Sequence, residues 1–349
     1  MGISVCIITK NESSNLKRCM ESLKGYGFEI VVADTGSTDD TNKVIEQYAD
    51  KAGKFQWCDD FSKARNYSIS LASNDIILVL DSDEWIESCD IKAVEELISI
   101  DSKVVGRIER VNDIASTRTN EKGHERISRI FDRRFYEYNG RIHEQVSCKQ
   151  KCELRYEDVP IIIGHSGYSG TEEDKRLKAA RNIKLLLLDL EEYGKDPYVL
   201  YQLGKSYYMQ KEYAMAAKYF EEGFAFDLEP KLEFVQDMVE TYGYTLLNLG
   251  RNKEMLFLKE IYDEFALSAD YVFLTGLAYM NNEMYDEAIK EFEKATKYRV
   301  SKIEGCNSFK ALYNAGVICE CLGKKEEARE YYRKCGNYEP AMKGLGRLK

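Results

Sequence analysis

Asp75-Ile76-Ile77-Leu78-Val79-Leu80-Asp81-Ser82-Asp83 sets a run of apolar residues directly before two acids spaced i, i+2. A run this short and this apolar reads as a strand buried on both faces. Two carboxylates at i and i+2 after an extended run can face one hard cation and leave positions open for phosphate oxygens, as Mg²⁺ or Mn²⁺ requires. The competing reading is a helix cap, since Asp and Ser favour N-cap positions and residues 91–98 have helical spacing. Burying two acids without a cation is expensive, which favours the cation.

The same pattern recurs upstream. Residues 4–9 (SVCIIT) and 29–34 (EIVVAD) are buried-strand runs, each followed by polar residues. Between them, residues 11–24 carry Leu16, Cys19, Met20 and Leu23 on one helical face, ended by Gly25 and Gly27. Helices are expected over 40–49 and 61–72, with an edge strand at 55–57. Strands separated by helices imply right-handed crossovers and a mainly parallel α/β sheet, whose ligands lie beyond the carboxyl ends of its strands. The polar clusters 9–12, 34–39 and 81–84 all fall on that rim, and their convergence is the main functional signal. Asp34 can accept a hydrogen bond from a base or ribose, Gly36 permits the sharp turn, and Ser37 and Asp39 can cap the next helix. Lys63 and Arg65 stand near a helix start, where anions are favoured, and suit a diphosphate. Residues 103–165 read as shorter strands around a polar loop, 112–125, with His124 solvent-exposed. Gly140-Arg141-Ile142-His143-Glu144 sets a histidine beside an acid. His165 ends the apolar run 161–163 and is a candidate third ligand with Asp81 and Asp83.

The chain has 349 residues, enough for two domains, and a formal charge of −10. Neither half is basic, which argues against nucleic acid as a partner. The opening MGISVCIITKNE turns polar too soon for a signal peptide, and no apolar run approaches the roughly 18 residues of a membrane span. The 10 cysteines lack disulfide-framework spacing and read as thiols of a cytoplasmic protein. Cys148/Cys152 and Cys319/Cys321 have no partner pair at zinc spacing. Asp34-Thr35-Gly36-Ser37 spells the aspartic-protease tetrapeptide, but no second copy exists to share a proton. An aspartyl-nucleophile phosphatase would want Thr or Val where Trp85 stands. Neither G-x-G-x-x-G nor the P-loop pattern is present.

Thr9-Lys10-Asn11-Glu12, Asp34-Thr35-Gly36-Ser37-Thr38-Asp39, Phe61-Ser62-x-Ala64-Arg65-Asn66 and Asp81-Ser82-Asp83-Glu84, in this order, resemble the family 2 glycosyltransferases of the GT-A (Rossmann-like) fold over residues 1–168. The resemblance implies that Thr9 and Glu12 line the nucleoside pocket, Asp34 binds uracil or ribose, and Arg65 approaches the diphosphate. Asp81, Ser82 and Asp83 become the D-x-D element that holds a UDP-sugar through Mn²⁺ or Mg²⁺. Family members place an acidic base near the acceptor, often in a Glu-Asp pair after a helix. No such pair is evident, so Glu144 is the first candidate and His143 the second.

The second half is helical and repeats itself. After a linking helix over 171–193, anchors at Gly204, Gly243, Gly276 and Gly316 are followed at fixed offsets by Tyr207, Leu246, Tyr279 and Cys319, then Ala216, Met255, Ala288 and Ala328, then Phe220, Lys259, Phe292 and Tyr332. Small residues let paired helices touch, and aromatics fill the groove between repeats. This is the tetratricopeptide pattern, degenerate in the second copy, where Lys259 takes an aromatic position. The expected domains are 1–168, a linker 169–195, and an all-α solenoid over 196–349. Solenoids of this kind bind extended peptides in the concave groove or mediate homodimers. The whole architecture is similar to the sublancin-type peptide S-glycosyltransferases of bacteriocin precursors. It implies an inverting transfer of a hexose from a UDP-sugar to a peptide or protein Cys or Ser. Competing readings are a transferase for a surface glycan or lipid-linked sugar, and a repeat scaffold with a degenerate nucleotide domain.

Overall fold

The computed structural model describes residues 2–100, 103–113, 122–150, 153–165 and 172–348. The chain divides into two compact units, Met1–Asp189 and Leu190–Lys349. The first runs β1 (Ile3–Thr9), α1 (Ser13–Ser22), β2 (Glu29–Asp34), α2 (Thr41–Tyr48), β3 (Lys51–Lys54), α3 (Phe61–Leu71), β4 (Ile76–Asp81), β5 (Glu84–Cys89), α4 (Ile91–Ile100), β6 (Val105–Asp113), β7 (Lys122–Asp132), β8 (Tyr136–Asn139), β9 (Gln145–Cys148), β10 (Tyr156–His165) and all but the last turn of α5 (Glu172–Tyr193). An 8-stranded sheet has the order β3-β2-β1-β4-β7-β6-β10-β5, and β8 and β9 form a separate hairpin.

Alternation explains why β1 is apolar throughout. Ile3, Val5 and Ile7 face one core with Leu16 and Met20 of α1, while Cys6 faces the other with Ile69 of α3, Val79 and Phe131. A strand covered on both faces has no polar side to show. Each fully buried large apolar side chain contributes roughly 1.5–3 kcal/mol.

The expected parallel strands are present, with β10 also parallel to β6, but the sheet as a whole is mixed. The strands β1, β2, β3 and β4 are parallel to their neighbours, but β7 runs antiparallel to both β4 and β6, and β5 antiparallel to β10. The physical reason is that β6 and β7 are joined as a hairpin and need no helical crossover. The supposed loop 112–125 is in part strand: Asn112 pairs with Gly123, Asp113 with Lys122, and His124, expected in a loop, lies on β7 opposite Val111. Residues 114–121 are outside the described ones. The edge strand is Lys51–Lys54, not 55–57. A short edge strand carries no burial pattern, while Phe55 and Trp57 pack with Phe61 against Ile8, Ala33 and Ala64.

Most cysteines are free thiols, and Cys6 and Cys19 are buried. Cys148 corrects that reading: it is disulfide-bonded and so is no metal ligand. Cysteine counting from sequence could not reveal this one bond. Cys152 lies outside the described residues. Among the described residues, no helix is long and apolar enough to cross a membrane.

The second unit continues with α6 (Pro197–Met209), α7 (Tyr213–Gly223), α8 (Glu233–Leu249), a 3-10 turn (Glu254–Leu256), α9 (Phe257–Glu260), α10 (Tyr262–Phe265), α11 (Ala269–Asn281), α12 (Tyr285–Ala295), α13 (Phe309–Cys321), α14 (Lys325–Lys334) and α15 (Glu339–Arg347). The helices pair as hairpins: α6 with α7, α11 with α12, and α13 with α14. The glycine anchors act as expected. A Cβ on Gly204 would come within 2.5 Å of the Phe220 ring, and one on Gly276 within 2.7 Å of Phe292. In the degenerate repeat the second helix is broken into the 3-10 turn, α9 and α10, and Gly243 faces Leu274 of α11 instead. Replacing Gly276 by Leu should therefore overpack the α11–α12 contact and cost about 1–3 kcal/mol. Thermal unfolding of the variant checks this, and an unchanged midpoint would contradict the close-contact reading.

Candidate active site

Register brings the rim residues together. Thr9 pairs with Asp34 across β1 and β2, and Ile8, its neighbour, pairs with Asp81 across β1 and β4. Asp81 therefore stands level with Ile8 and Ala33, one residue short of the Thr9–Asp34 pair, and Thr9, Asp34 and Asp81 all lie at the carboxyl ends of adjacent parallel strands. The loops beyond β1 and β2 are stitched to each other. Asn11, at φ 54, donates its N–H to Ser37 Oγ at 2.9 Å and accepts from the Thr38 N–H at 2.7 Å. The Glu12 N–H donates to Thr41 Oγ1 at 3.0 Å, while Glu12 Oε2 accepts from Asn15 at 2.7 Å. Asp34, 4% exposed, accepts the Ser37 N–H at 3.0 Å on Oδ1. Part of its role is thus to shape the turn, and Ser37 serves the loop rather than capping α2. Thr9 is buried, and its Oγ1 has no hydrogen-bond partner among the described residues.

Asp81 and Asp83 have different surroundings. Asp81 Oδ1 accepts from Arg65 Nη2 at 2.7 Å, and Oδ2 accepts from Arg129 Nη2 at 2.7 Å. Arg129 also reaches Glu84 Oε1 at 3.1 Å, and Arg110 reaches the same oxygen at 3.3 Å. Arg110 continues to Glu125 at 2.6 Å. On the other side, Arg65 Nε donates to Glu144 in the turn between β8 and β9. The result is a ladder of alternating sign: Glu144, Arg65, Asp81, Arg129, Glu84, Arg110, Glu125. Burial works against the Asp81 charge, but Arg129 and Arg65 outweigh it and hold this carboxyl well below the usual range. Burial pushes the Glu84 carboxyl up, against the pull of Arg129.

Asp83 pairs with the end of β10. Its Oδ2 lies 3.4 Å from His165 Nε2, because β10 is registered on β5 with His165 opposite Glu84. Neighbouring ligands of an octahedral ion with bonds of about 2.1 Å stand about 3 Å apart. The Asp83 and His165 donors thus fit adjacent positions on one small hard cation. Among the described residues, no group of three or more His, Cys, Asp or Glu side chains could enclose a metal. Ser82 sits half-buried in the turn between β4 and β5.

The start of α3 differs from expectation. Its N-terminus is capped by the protein itself: Asp60, buried, accepts the Lys63 N–H at 3.0 Å, and the Phe61 N–H donates to Arg141 O. This end is not open to an anion, and Lys63 pairs with Asp60 at 3.3 Å. Arg65, 6% exposed, turns into the ladder, with Nη1 buried and unpartnered among the described residues. His143 adopts φ 53, a conformation in which non-glycine residues are uncommon.

Sequence reasoning missed Arg129 and Arg110. A signal was present for Arg129: in Ile127-Ser128-Arg129-Ile130-Phe131 a lone cation interrupts a central strand, and a buried cation needs an acid.

Residues 4–151 match the profile of glycosyl transferase family 2, and residues 198–222, 269–299 and 309–342 match tetratricopeptide repeat profiles. The chain therefore carries a family 2 glycosyltransferase domain followed by tetratricopeptide repeats. It is similar to a TPR repeat-containing protein of Synechococcus elongatus, 28% identical over 63% of this chain and 56% of that one. It is also similar to the SPbeta prophage-derived glycosyltransferase SunS of Bacillus subtilis, 29% identical over 59% of this chain and 49% of that one. The chain spans about half the length of these curated relatives. Among solved structures, 50% of the chain overlays 84% of YrrB, described as a TPR protein with an unusual peptide-binding site, at 23% identity and a TM-score of 0.40.

Proposed function

We propose that the protein transfers a hexosyl group from a UDP-sugar to a Cys or Ser side chain of a peptide or protein, with inversion and with Mn²⁺ or Mg²⁺ bound. The observation that carries this is that Thr9, Asp34 and Asp81 end adjacent parallel strands on one edge of the sheet, with Asp83 two residues beyond Asp81 and 3.4 Å from His165. The similarity to SunS and the repeats that follow the transferase domain support a peptide acceptor. Asp83 and His165 would hold the cation, which supplies charge neutralisation at the leaving diphosphate.

The chain's own residues do the rest. Thr9, Glu12 and Asp34 hold the nucleoside, with Asp34 Oδ2 left to accept from ribose or uracil. Arg65 Nη1, buried without a partner, offers its N–H to a diphosphate oxygen. The acceptor sulfur or oxygen attacks the anomeric carbon as the bond from that carbon to the phosphate oxygen breaks. UDP departs and the acceptor proton passes to a base. Glu144 is the proposed base, because Arg65 orients its carboxylate through one oxygen and leaves the other to take a proton. His143 is the alternative. A thiol acceptor asks less of this base, since a free Cys has a pKa of about 8.5.

Incubating the full chain with UDP-glucose or UDP-N-acetylglucosamine, MnCl₂ and Cys- or Ser-bearing peptides tests the reading by mass spectrometry. The expected result is a mass gain of one sugar on the peptide, removed by EDTA. Release of no UDP from any UDP-sugar, with either metal, would contradict it.

A further inference from the structure

The geometry points to Arg129 as a positioning residue for Asp81, an inference that deepens the transferase reading and rests on it. Arg129 belongs to β7 and is 8% exposed. One nitrogen, Nη2, contacts both Asp81 Oδ2 at 2.7 Å and Glu84 Oε1 at 3.1 Å. Glu84, fully buried, in turn accepts the backbone N–H of Asp81 on its other oxygen at 2.8 Å. A ring therefore closes from the Asp81 main chain through the Glu84 carboxylate and the Arg129 guanidinium to the Asp81 side chain. This ring fixes the carboxylate of Asp81 relative to its own backbone.

Arg65 alone would not do this. It holds Oδ1, and a carboxylate gripped through one oxygen can still turn about its last bond. With Arg129 on Oδ2, both oxygens are held, by guanidiniums from separate elements, α3 and β7, and the plane is set. Planar, permanently charged guanidiniums suit such a grip better than an ammonium. Stability does not account for the arrangement well. A buried ion pair is often no more stabilising than apolar residues of similar size, and β7 already buries Ile130 and Phe131 beside it. The consequence is a division of labour within the D-x-D element. Asp81 is a neutralised, oriented strut at the donor pocket, while Asp83 with His165 faces the cation.

The test uses the full chain and UDP with MnCl₂, titrated by calorimetry, with thermal unfolding measured in parallel. The double variant Arg129→Met, Glu84→Gln removes the pair without stranding a buried charge. Its expected behaviour is a melting temperature near that of the wild type and an affinity for UDP about 10–100-fold weaker, the usual scale for losing a residue that orients a ligand. Arg129→Lys, which keeps one charge without the planar fork, is expected to fall between the two. A purely structural role would shift melting and leave the nucleotide affinity of the folded protein unchanged. Equal affinity in the double variant and the wild type overturns the inference and leaves the transferase reading standing. If the double variant does not fold, equal affinity of Arg129→Lys and the wild type overturns it instead. A wild type that binds no UDP removes the transferase reading and this inference with it.

Discussion

Asp83→Asn is expected to abolish metal-dependent sugar transfer while the protein stays folded. Asp83 is one of the two donors 3.4 Å apart at the proposed cation site, and its side chain is 27% exposed. An amide keeps its size but weakens its hold on a hard cation. Turnover should fall at least about a hundredfold, and raising MnCl₂ should restore part of it. Melting should move little, since changes at partly exposed positions usually lie within about 0.5 kcal/mol. Transfer at the wild-type rate, with an unaltered metal requirement, would remove Asp83 from the site.

Arg65→Ala should have the opposite signature, a large loss of stability. Arg65 is buried and joins Asp81 to Glu144. Truncation leaves Glu144, whose side chain is 9% exposed, without its counter-charge, and leaves Asp81 with Arg129 alone. Stranding a buried charge costs about 3–5 kcal/mol. Partial exposure of Asp81, at 28%, places the expectation toward the lower end. For a unit of this size the melting temperature should drop by roughly 10 °C. Activity should also fall, since Arg65 is the proposed donor to the diphosphate. A melting curve unchanged from the wild type would mean that the ladder does not hold the rim together.

The contrast between these variants shows what was legible in the sequence. β1, β2 and β4 announce themselves as apolar runs, because each is covered on both faces, and each ends in the polar residues that form the rim. Position at a strand end can be read directly, and Thr9, Asp34, Asp81 and His165 do end β1, β2, β4 and β10. His165 reads from sequence as a third ligand beside Asp81 and Asp83, and the β10–β5 register sets it 3.4 Å from Asp83. β5 was not seen, because Glu84-Trp85-Ile86-Glu87-Ser88-Cys89 follows the D-S-D turn at once and looks like its continuation. β3 was misplaced, because an edge strand such as Lys-Ala-Gly-Lys buries almost nothing.

The ladder itself was mostly invisible. Arg129 and Glu84 are 45 residues apart in sequence, and only an antiparallel β7 between β4 and β6 brings them together. The start of α3 reads from sequence as an anion site. That inference misses Asp60, which directly precedes the helix and takes its N-terminus for itself. The glycine anchors of the repeats were legible because the constraint is local. Gly204 and Phe220, or Gly276 and Phe292, belong to one helical hairpin, so their spacing is set by hairpin length alone.

The central claim is that one rim of this sheet binds a uridine diphosphate together with a divalent cation. Calorimetric titration of UDP into the full-length wild-type chain, with MnCl₂ and again with EDTA, tests it most directly. The account expects saturable binding of one UDP with Mn²⁺ that is at least about tenfold weaker in EDTA. Binding of equal strength in both, or none in either, would contradict it.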